Sequence, residues 1–210
     1  MRLLYQILYW PVRAVMFLWH PTLHVYGKEN LPEGGAVYCS NHCSGSDPFW
    51  IIFALHDRQL PSFLAKQELR KIPLIGWLLE KLGIVFVRRG QHDVRAYDSC
   101  VQTLRQDKKL VVFIEGTRCS HNKHVRAKRG AFHMAMQSGK PVVPLYVTRR
   151  RSLLSPISVY FGKPFTVPEQ TDRESLQRIA DETLWEIYKM GGDTEYADYI
   201  CKNCGLLLRG

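Results

Sequence analysis

The sequence predicts an α/β fold: a single domain with a mostly parallel central sheet flanked by helices, and a further helix at its N-terminus. Three observations carry this. Short apolar, often β-branched runs recur at 35–40, 62–65, 84–88, 110–114, 142–147 and 157–161. Helical spacing fills gaps between them, with Val94, Tyr97, Val101 and Leu104 three or four apart, and Leu176, Ile179, Ala180, Leu184 and Ile187 likewise. Strands that alternate with helices are joined by crossovers, which make them parallel and cover both faces of the sheet. The 210 residues, 46% hydrophobic and 23% charged, suffice for one sizeable core and contain no repeat or low-complexity tract.

Taken in order, residues 1–20 form a helix of unusual pattern. Positions 3–19 are apolar or aromatic apart from Gln6 and Arg13, and no small-residue cleavage site follows, so a secretory signal is not expected. At about 100° per residue, Arg2, Gln6, Arg13 and His20 fall within roughly 40° of one another. The rest of the circumference is apolar, and Arg13 sits mid-segment, where a spanning helix tolerates charge least. Tyr5, Tyr9, Trp10 and Trp19 suit a membrane interface. The expectation is an amphipathic helix lying in a bilayer surface, bent at Pro11; the alternative is a helix docked on the protein's own core. Residues 21–190 make the α/β domain. Its last helix, over 172–189, is expected to start at a Thr171-x-x-Glu174 capping box. Residues 191–210 read as a tail without a role.

A formal net charge of +10 implies an anionic partner. Arg149-Arg150-Arg151 and the basic stretch 123–129 read as surfaces for anionic lipid headgroups or an acidic carrier. Nucleic acid is not expected, because the aromatics gather in the N-terminal helix and in apolar runs rather than among the basic residues. Six cysteines (39, 43, 100, 119, 201 and 204) lack the spacing of a disulfide scaffold and read as reduced and cytosolic. Cys201 and Cys204 have the spacing of half a zinc site with no second pair, so no metal is expected.

Open parallel sheets present functional groups at the carboxyl ends of their strands. His42 follows the 35–40 strand, Lys66 the 62–65 strand, Arg89 the 84–88 strand, and Glu115-Gly116-Thr117-Arg118 the 110–114 strand. His42 can take a proton from an alcohol and return it to a leaving group near neutral pH. Asp47 can fix the imidazole tautomer and stabilise the imidazolium, although it can also simply cap the helix that starts at Pro48. Arginines and a lysine on one rim make a phosphate clamp. Glu115 closes a buried strand, so it needs a partner, either a neighbouring arginine or a substrate hydroxyl. Cys43 is poorly placed for activation by His42, because adjacent side chains on an extended segment point apart. The run at 71–79, apolar around Pro73 and Gly76, is either core packing or one wall of a slot for an acyl chain.

Asn41-His42-x4-Asp47, Gly83-x-x-Phe86-x-x-Arg89, Phe113-x-Glu115-Gly116-Thr117-Arg118 and Val143-Pro144-Leu145 resemble the four ordered blocks of the glycerolipid acyltransferases, most of all the 1-acylglycerol-3-phosphate acyltransferases. The likeness covers roughly residues 20–165 and extends to Ala65-Lys66-Gln67-Glu68-Leu69. Cys119, Ile114 and Arg88 stand where that family usually has Ser, Pro and Asp. The resemblance implies acyl transfer from a thioester to the sn-2 hydroxyl of lysophosphatidic acid, giving phosphatidic acid. His42 would be the base and Asp47 its orienter. Lys66, Arg89 and Arg118 would hold the phosphate, while Glu115, Gly116 and Thr117 would shape the glycerol-phosphate pocket. The implied donor is acyl-CoA or acyl carrier protein, a co-substrate rather than a cofactor, and no cofactor is called for. The implied location is monotopic or peripheral, on anionic lipid at the cytoplasmic face of the cell membrane. Two alternatives stay open. One is a related enzyme acting on glycerol 3-phosphate or another lysophospholipid. The other, of a different class, is a non-catalytic basic module that binds membranes.

Overall fold

The computed structural model describes residues 2–57, 59–88, 90–91, 93–119, 125–149 and 151–204, with the side chains of residues 2 and 201–204 outside that description. Arg89 and Arg150 therefore lie outside the described residues.

Seven strands form one sheet: β1 (Leu23–Tyr26), β2 (Val37–Ser40), β3 (Ser62–Lys66), β4 (Val85–Val87), β5 (Leu110–Phe113), β6 (Val142–Val147) and β7 (Ile157–Phe161). Their order is β1-β7-β6-β2-β5-β3-β4. The five strands from β6 to β4 run parallel, whereas β7 is antiparallel to β6 and carries β1 parallel to itself. All six predicted strands are present within two residues of their expected ends. β1 was not expected; its four residues alternate between partly buried and exposed and sit at the sheet edge.

The helices are α1 (Arg2–Trp19), α2 (Asp47–Leu55), α3 (Ile75–Lys81), α4 (Val94–Arg105), α5 (Gly130–Ser138), α6 (Arg173–Met190) and α7 (Thr194–Cys204). Because successive strand residues face opposite ways, β2 feeds two cores. Val37 and Cys39 join Leu110 and Val142 under α4, α5, α6 and α7. Tyr38 joins Val111, Val143 and Leu145 under α2 and α1. α2 is apolar almost all round, and Trp50, Ile51, Phe53, Ala54 and Leu55 are buried.

Several expectations need correction. α6 starts one residue later than the Thr171 capping box, with Asp172 accepting from the backbone N–H of Glu174 and Ser175; Thr171 instead bonds the Pro168 carbonyl. The expected tail contains α7, whose Tyr196, Ala197 and Ile200 are buried in the first core. The apolar run at 71–79 is not core: Ile72, Leu74, Ile75 and Trp77 are exposed.

α1 packs on the fold by one face and leaves another exposed. Tyr5 and Met16 are buried against the fold, and Tyr9 meets the Phe53 ring edge-on at 5.5 Å. Two residues of the polar stripe, Arg13 and His20, face inward too, whereas Gln6 is exposed. Arg13 lies 4.7 Å over the Phe17 ring and bonds the Tyr9 hydroxyl, and His20 Nδ1 is 2.9 Å from the Ser155 carbonyl. Leu3, Ile7, Trp10, Val15 and Leu18 remain exposed, so the outer face of α1 is apolar. Among the described residues, no helix is long and apolar enough to cross a membrane.

Candidate active site

The loops after β2, β5 and β6 meet at one edge of the sheet, and β2 is flanked by the other two strands. Asn41 ties two of them together: its amide donates to the Val147 carbonyl at 2.9 Å and its oxygen accepts from the Val147 N–H at 2.8 Å. The Cys119 N–H, just past β5, donates to the His42 carbonyl at 2.7 Å. His42 is thus fixed between the β6 end, through its neighbour Asn41, and the loop after β5, through its own backbone.

Its ring stacks on Phe113 with centroids 4.0 Å apart, and Nδ1 lies 2.8 Å from Asp47 Oδ2. The same oxygen accepts the backbone N–H groups of Cys43 and Ser44, each at 2.8 Å. Asp47 is therefore the first residue of α2 and also an acceptor inside the preceding loop. His42 keeps 7% of its surface while Asp47 keeps none, so a substrate can reach the imidazole and not the carboxylate. Burial pushes the Asp47 carboxyl up, but the His42 hydrogen bond, the Arg151 charge and the Ser44 N–H together hold it below the usual carboxylate range. With Nδ1 committed to Asp47, Nε2 is the nitrogen free to accept a proton.

Arg151 was expected on a basic surface. Its side chain is only 8% exposed and donates to Asp47 Oδ1 at 2.5 Å. Arg149 is likewise buried, paired with Asp193 at 3.0 Å and lying 4.7 Å over the Tyr196 ring. These guanidiniums are internal, and a surface role does not fit them.

Glu115 also has a more internal place than a glycerol pocket implies. Oε2 accepts the His42 N–H at 2.6 Å, and Oε1 accepts the hydroxyls of Tyr188 at 2.6 Å and Tyr196 at 3.1 Å. Its partners are therefore two tyrosines, a backbone amide and the Cys119 thiol rather than an arginine. Burial raises its carboxyl to about 6, with these donors opposing the rise. Gly116 has φ 68, and a Cβ there would come 3.2 Å from the Lys128 side chain, so the turn requires glycine. Thr117 is partly exposed and Arg118 exposed on the same turn. Arg118 reaches back over the histidine loop, since a methyl group at Gly45 would lie 3.3 Å from its Nη2. Lys66 closes β3, the strand beyond β5, and is paired at the surface with Glu68 at 3.2 Å.

The structure thus brings together His42, Asp47, the Glu115 turn and Arg118, and leaves Lys66 further along the edge. Cys43 is no nucleophile: burial, with Asp47 beside it, pushes its thiol well above the ordinary range. A cavity of about 510 Å³ opens between the end of α1 and the histidine loop, lined by Met16, Trp19, residues 44–46 and Arg151. Among the described residues, no group of three or more His, Cys, Asp or Glu could hold a metal ion.

Residues 22–148 match the sequence profile of the Acyltransferase family. The chain is 32% identical over 170 residues to the 1-acyl-sn-glycerol-3-phosphate acyltransferase of Saccharomyces cerevisiae, covering 77% of this chain and 54% of that protein. It is also 32% identical over 123 residues to the lyso-ornithine lipid O-acyltransferase of Pseudomonas aeruginosa, covering 57% of this chain and 45% of that one. The chain spans about a third to just over half the length of the first curated relatives it matches. The crystal structure of the 1-acyl-sn-glycerophosphate acyltransferase PlsC from Thermotoga maritima superposes with a TM-score of 0.68 at 25% identity, over 91% of this chain and 79% of that one. Fold, site blocks and relatives converge, and the chain belongs to the acyltransferase family.

Proposed function

We propose that the protein transfers an acyl group from a thioester to the sn-2 hydroxyl of lysophosphatidic acid, forming phosphatidic acid. The observation that carries this reading is the His42–Asp47 pair, a reachable imidazole on a buried carboxylate at the strand ends. His42 Nε2 accepts the hydroxyl proton as the substrate oxygen bonds to the thioester carbonyl carbon. The C–S bond then breaks, and the imidazolium returns its proton to the departing thiolate. The Asp47 carboxylate stabilises the imidazolium between these steps. The thioester is already activated, so no acyl-enzyme, metal or organic cofactor is needed. The donor is acyl-CoA or acyl carrier protein.

Arg118 holds the acceptor phosphate beside the histidine loop, with Thr117 on the same turn, and Lys66 and Arg89 extend the positive edge. Glu115 and Gly116 shape this site from beneath, by holding the His42 backbone and the turn. Arg118→Lys is expected to raise KM for lysophosphatidic acid about 10-fold and leave a phosphate-free monoacylglycerol acceptor unaffected, because one ammonium cannot reproduce a bidentate fork. Steady-state kinetics with both acceptors checks this.

Residues 1–20 serve as a membrane-surface helix ahead of the catalytic domain at 21–190, and place it on anionic lipid at the cytoplasmic face of the cell membrane. Support comes from the exposed apolar face of α1, which Leu153 and Leu154 extend: the Leu154 N–H bonds the Trp19 carbonyl at 2.9 Å, and both leucines are exposed. The cavity at the end of α1 gives a lipid chain a path to the histidine loop, and its volume is in the range of roughly 300–1,000 Å³ usual for small-ligand sites. Replacing Leu3, Ile7 and Leu18 together with glutamate is expected to weaken liposome binding at least 100-fold without lowering the melting temperature. Each such side chain contributes roughly 1.5–3 kcal/mol on leaving water. Flotation and thermal melts check this.

A second acceptor class is favoured by one observation, the similarity to the lyso-ornithine lipid enzyme. An acyl-transfer assay with both donors against lysophosphatidic acid, glycerol 3-phosphate and lyso-ornithine lipid tests the reading. The expected result is preference for lysophosphatidic acid. Transfer to none of them would leave a membrane-binding module.

A further inference from the structure

We propose that Arg151 is a positioning residue of the acyl transfer, gripping the Asp47 carboxylate on the oxygen that His42 does not use. The inference rests on the reading of His42 as base and Asp47 as its orienter, and deepens it.

The two carboxylate oxygens have separate partners. Oδ2 takes His42 Nδ1 and the Cys43 and Ser44 N–H groups. Oδ1 takes Arg151 Nη2 at 2.5 Å, with only the Cys43 thiol, 3.9 Å away, beside it. The arginine is itself fixed at two further points. Nη1 donates to Ser46 Oγ at 2.9 Å, and Nε donates to the Thr148 carbonyl at 2.6 Å. The turn that follows is pinned to the end of α1 by the Leu154 N–H on the Trp19 carbonyl and by His20 on the Ser155 carbonyl. A guanidinium held this way locks the carboxylate plane, and with it the imidazole plane.

The charge arrangement matters as much as the geometry. A buried carboxylate with no other counter-charge favours the imidazolium form of its imidazole, and an imidazolium cannot act as a base. Arg151 sets a positive charge on the other carboxylate oxygen, which weakens the pull of Asp47 on a second positive charge at His42. Other charged or titratable groups facing the pair, among the described residues, are few. The loop after β2 brings the Cys43 thiol. The loop after β5 brings Glu115, on the His42 N–H, and Arg118, over Gly45. The loop after β6 brings Arg149, which is engaged with Asp193. Among the described residues, Arg151 is the one guanidinium or ammonium that bonds the carboxylate.

The test uses the full chain on vesicles carrying lysophosphatidic acid, with kcat and KM measured from about pH 5.5 to 9 for wild type, Arg151→Gln, Arg151→Lys and His42→Ala. Arg151→Gln is expected to lower kcat about 10- to 100-fold at unchanged KM. The acid limb of its profile should move to higher pH, because a carboxylate that has lost its guanidinium partner favours imidazolium. Arg151→Lys keeps the charge and loses the fork, so its kcat should fall while the acid limb stays in place. Millimolar guanidinium, which can enter through the adjoining cavity, should restore part of the Gln variant's rate. A Gln variant with wild-type kcat and acid limb would overturn the proposal. So would a loss of rate that merely follows a lowered melting temperature, with the limb unmoved and no response to guanidinium. Should the Gln variant not fold, the Lys variant decides alone: wild-type kcat in it refutes the positioning role. His42→Ala separates the layers, because an inactive His42→Ala beside a normal Arg151→Gln leaves the base reading intact. Activity in both would remove both.

Discussion

His42→Ala is expected to lower kcat about 10³- to 10⁴-fold with little change in melting temperature. General-base catalysis is commonly worth roughly 10²–10⁴, and this imidazole would also serve as the acid for the departing thiolate. The fold should tolerate the change, because what anchors residue 42 is backbone: its N–H on Glu115 and its carbonyl on the Cys119 N–H. The lost contacts are the stack on Phe113 and the hydrogen bond to Asp47. Asp47 keeps Arg151 and two backbone donors, so it is not left uncompensated. Circular dichroism and steady-state rates on the same preparation check both halves.

Glu115→Ala should instead damage stability, by more than about 4 kcal/mol. It leaves the His42 N–H and the Tyr188 and Tyr196 hydroxyls buried without their acceptor. Each orphaned donor costs roughly 1–3 kcal/mol. Activity should fall with it, since residue 42 loses its anchor. Tyr188→Phe, which removes one donor and leaves the carboxylate in place, should lose only about 1 kcal/mol. Urea unfolding ranks the three proteins.

The raised Glu115 carboxyl adds a pH signature. Below about 4.5 the group is protonated folded and unfolded, and its contribution to stability is fully present. As pH rises toward about 6, the unfolded chain has released a proton that the folded one still holds, and that contribution is lost. Relative to Glu115→Gln, which does not titrate, wild type should therefore lose on the order of 2 kcal/mol across that window. Asp47, shifted the other way, is common to both proteins and cancels. Unfolding free energies of the pair at pH 4 and pH 8 measure the difference.

The parts of this molecule that were readable in its sequence share a property: the partners are close in the chain or the pattern is repeated. His42 and Asp47 are five residues apart across one strand-to-helix turn, so their pairing follows from local geometry. The parallel sheet followed from six apolar runs separated by helical periodicity. β1 escaped because four half-exposed edge residues carry no such pattern. Arg151 escaped because its partner lies 104 residues away and three consecutive arginines resemble a solvated surface. Only the fold, by placing β6 beside β2, turns two of them inward. The need of Glu115 for a partner was legible from its place at the end of a buried strand. That Tyr188 and Tyr196 would supply it was not, because they come from the last two helices, and the second of these lies where a tail was expected. For the N-terminal helix, periodicity picked out the polar positions but could not say what each would meet: Arg13 and His20 turn toward the protein, Gln6 is exposed, and much of the apolar surface stays outside.

Asp47→Asn tests the central claim, that the buried pair drives acyl transfer and is not merely the start of a helix. Asparagine is as good a residue at a helix start as aspartate, and its oxygen can still accept from the loop. It cannot stabilise an imidazolium. Measured together, kcat on lysophosphatidic acid vesicles should fall by roughly 10⁴, the scale known for this substitution in carboxylate–histidine pairs, while the melting temperature changes by a few degrees at most. A variant that melts well below wild type yet retains wild-type kcat per folded molecule would contradict the account.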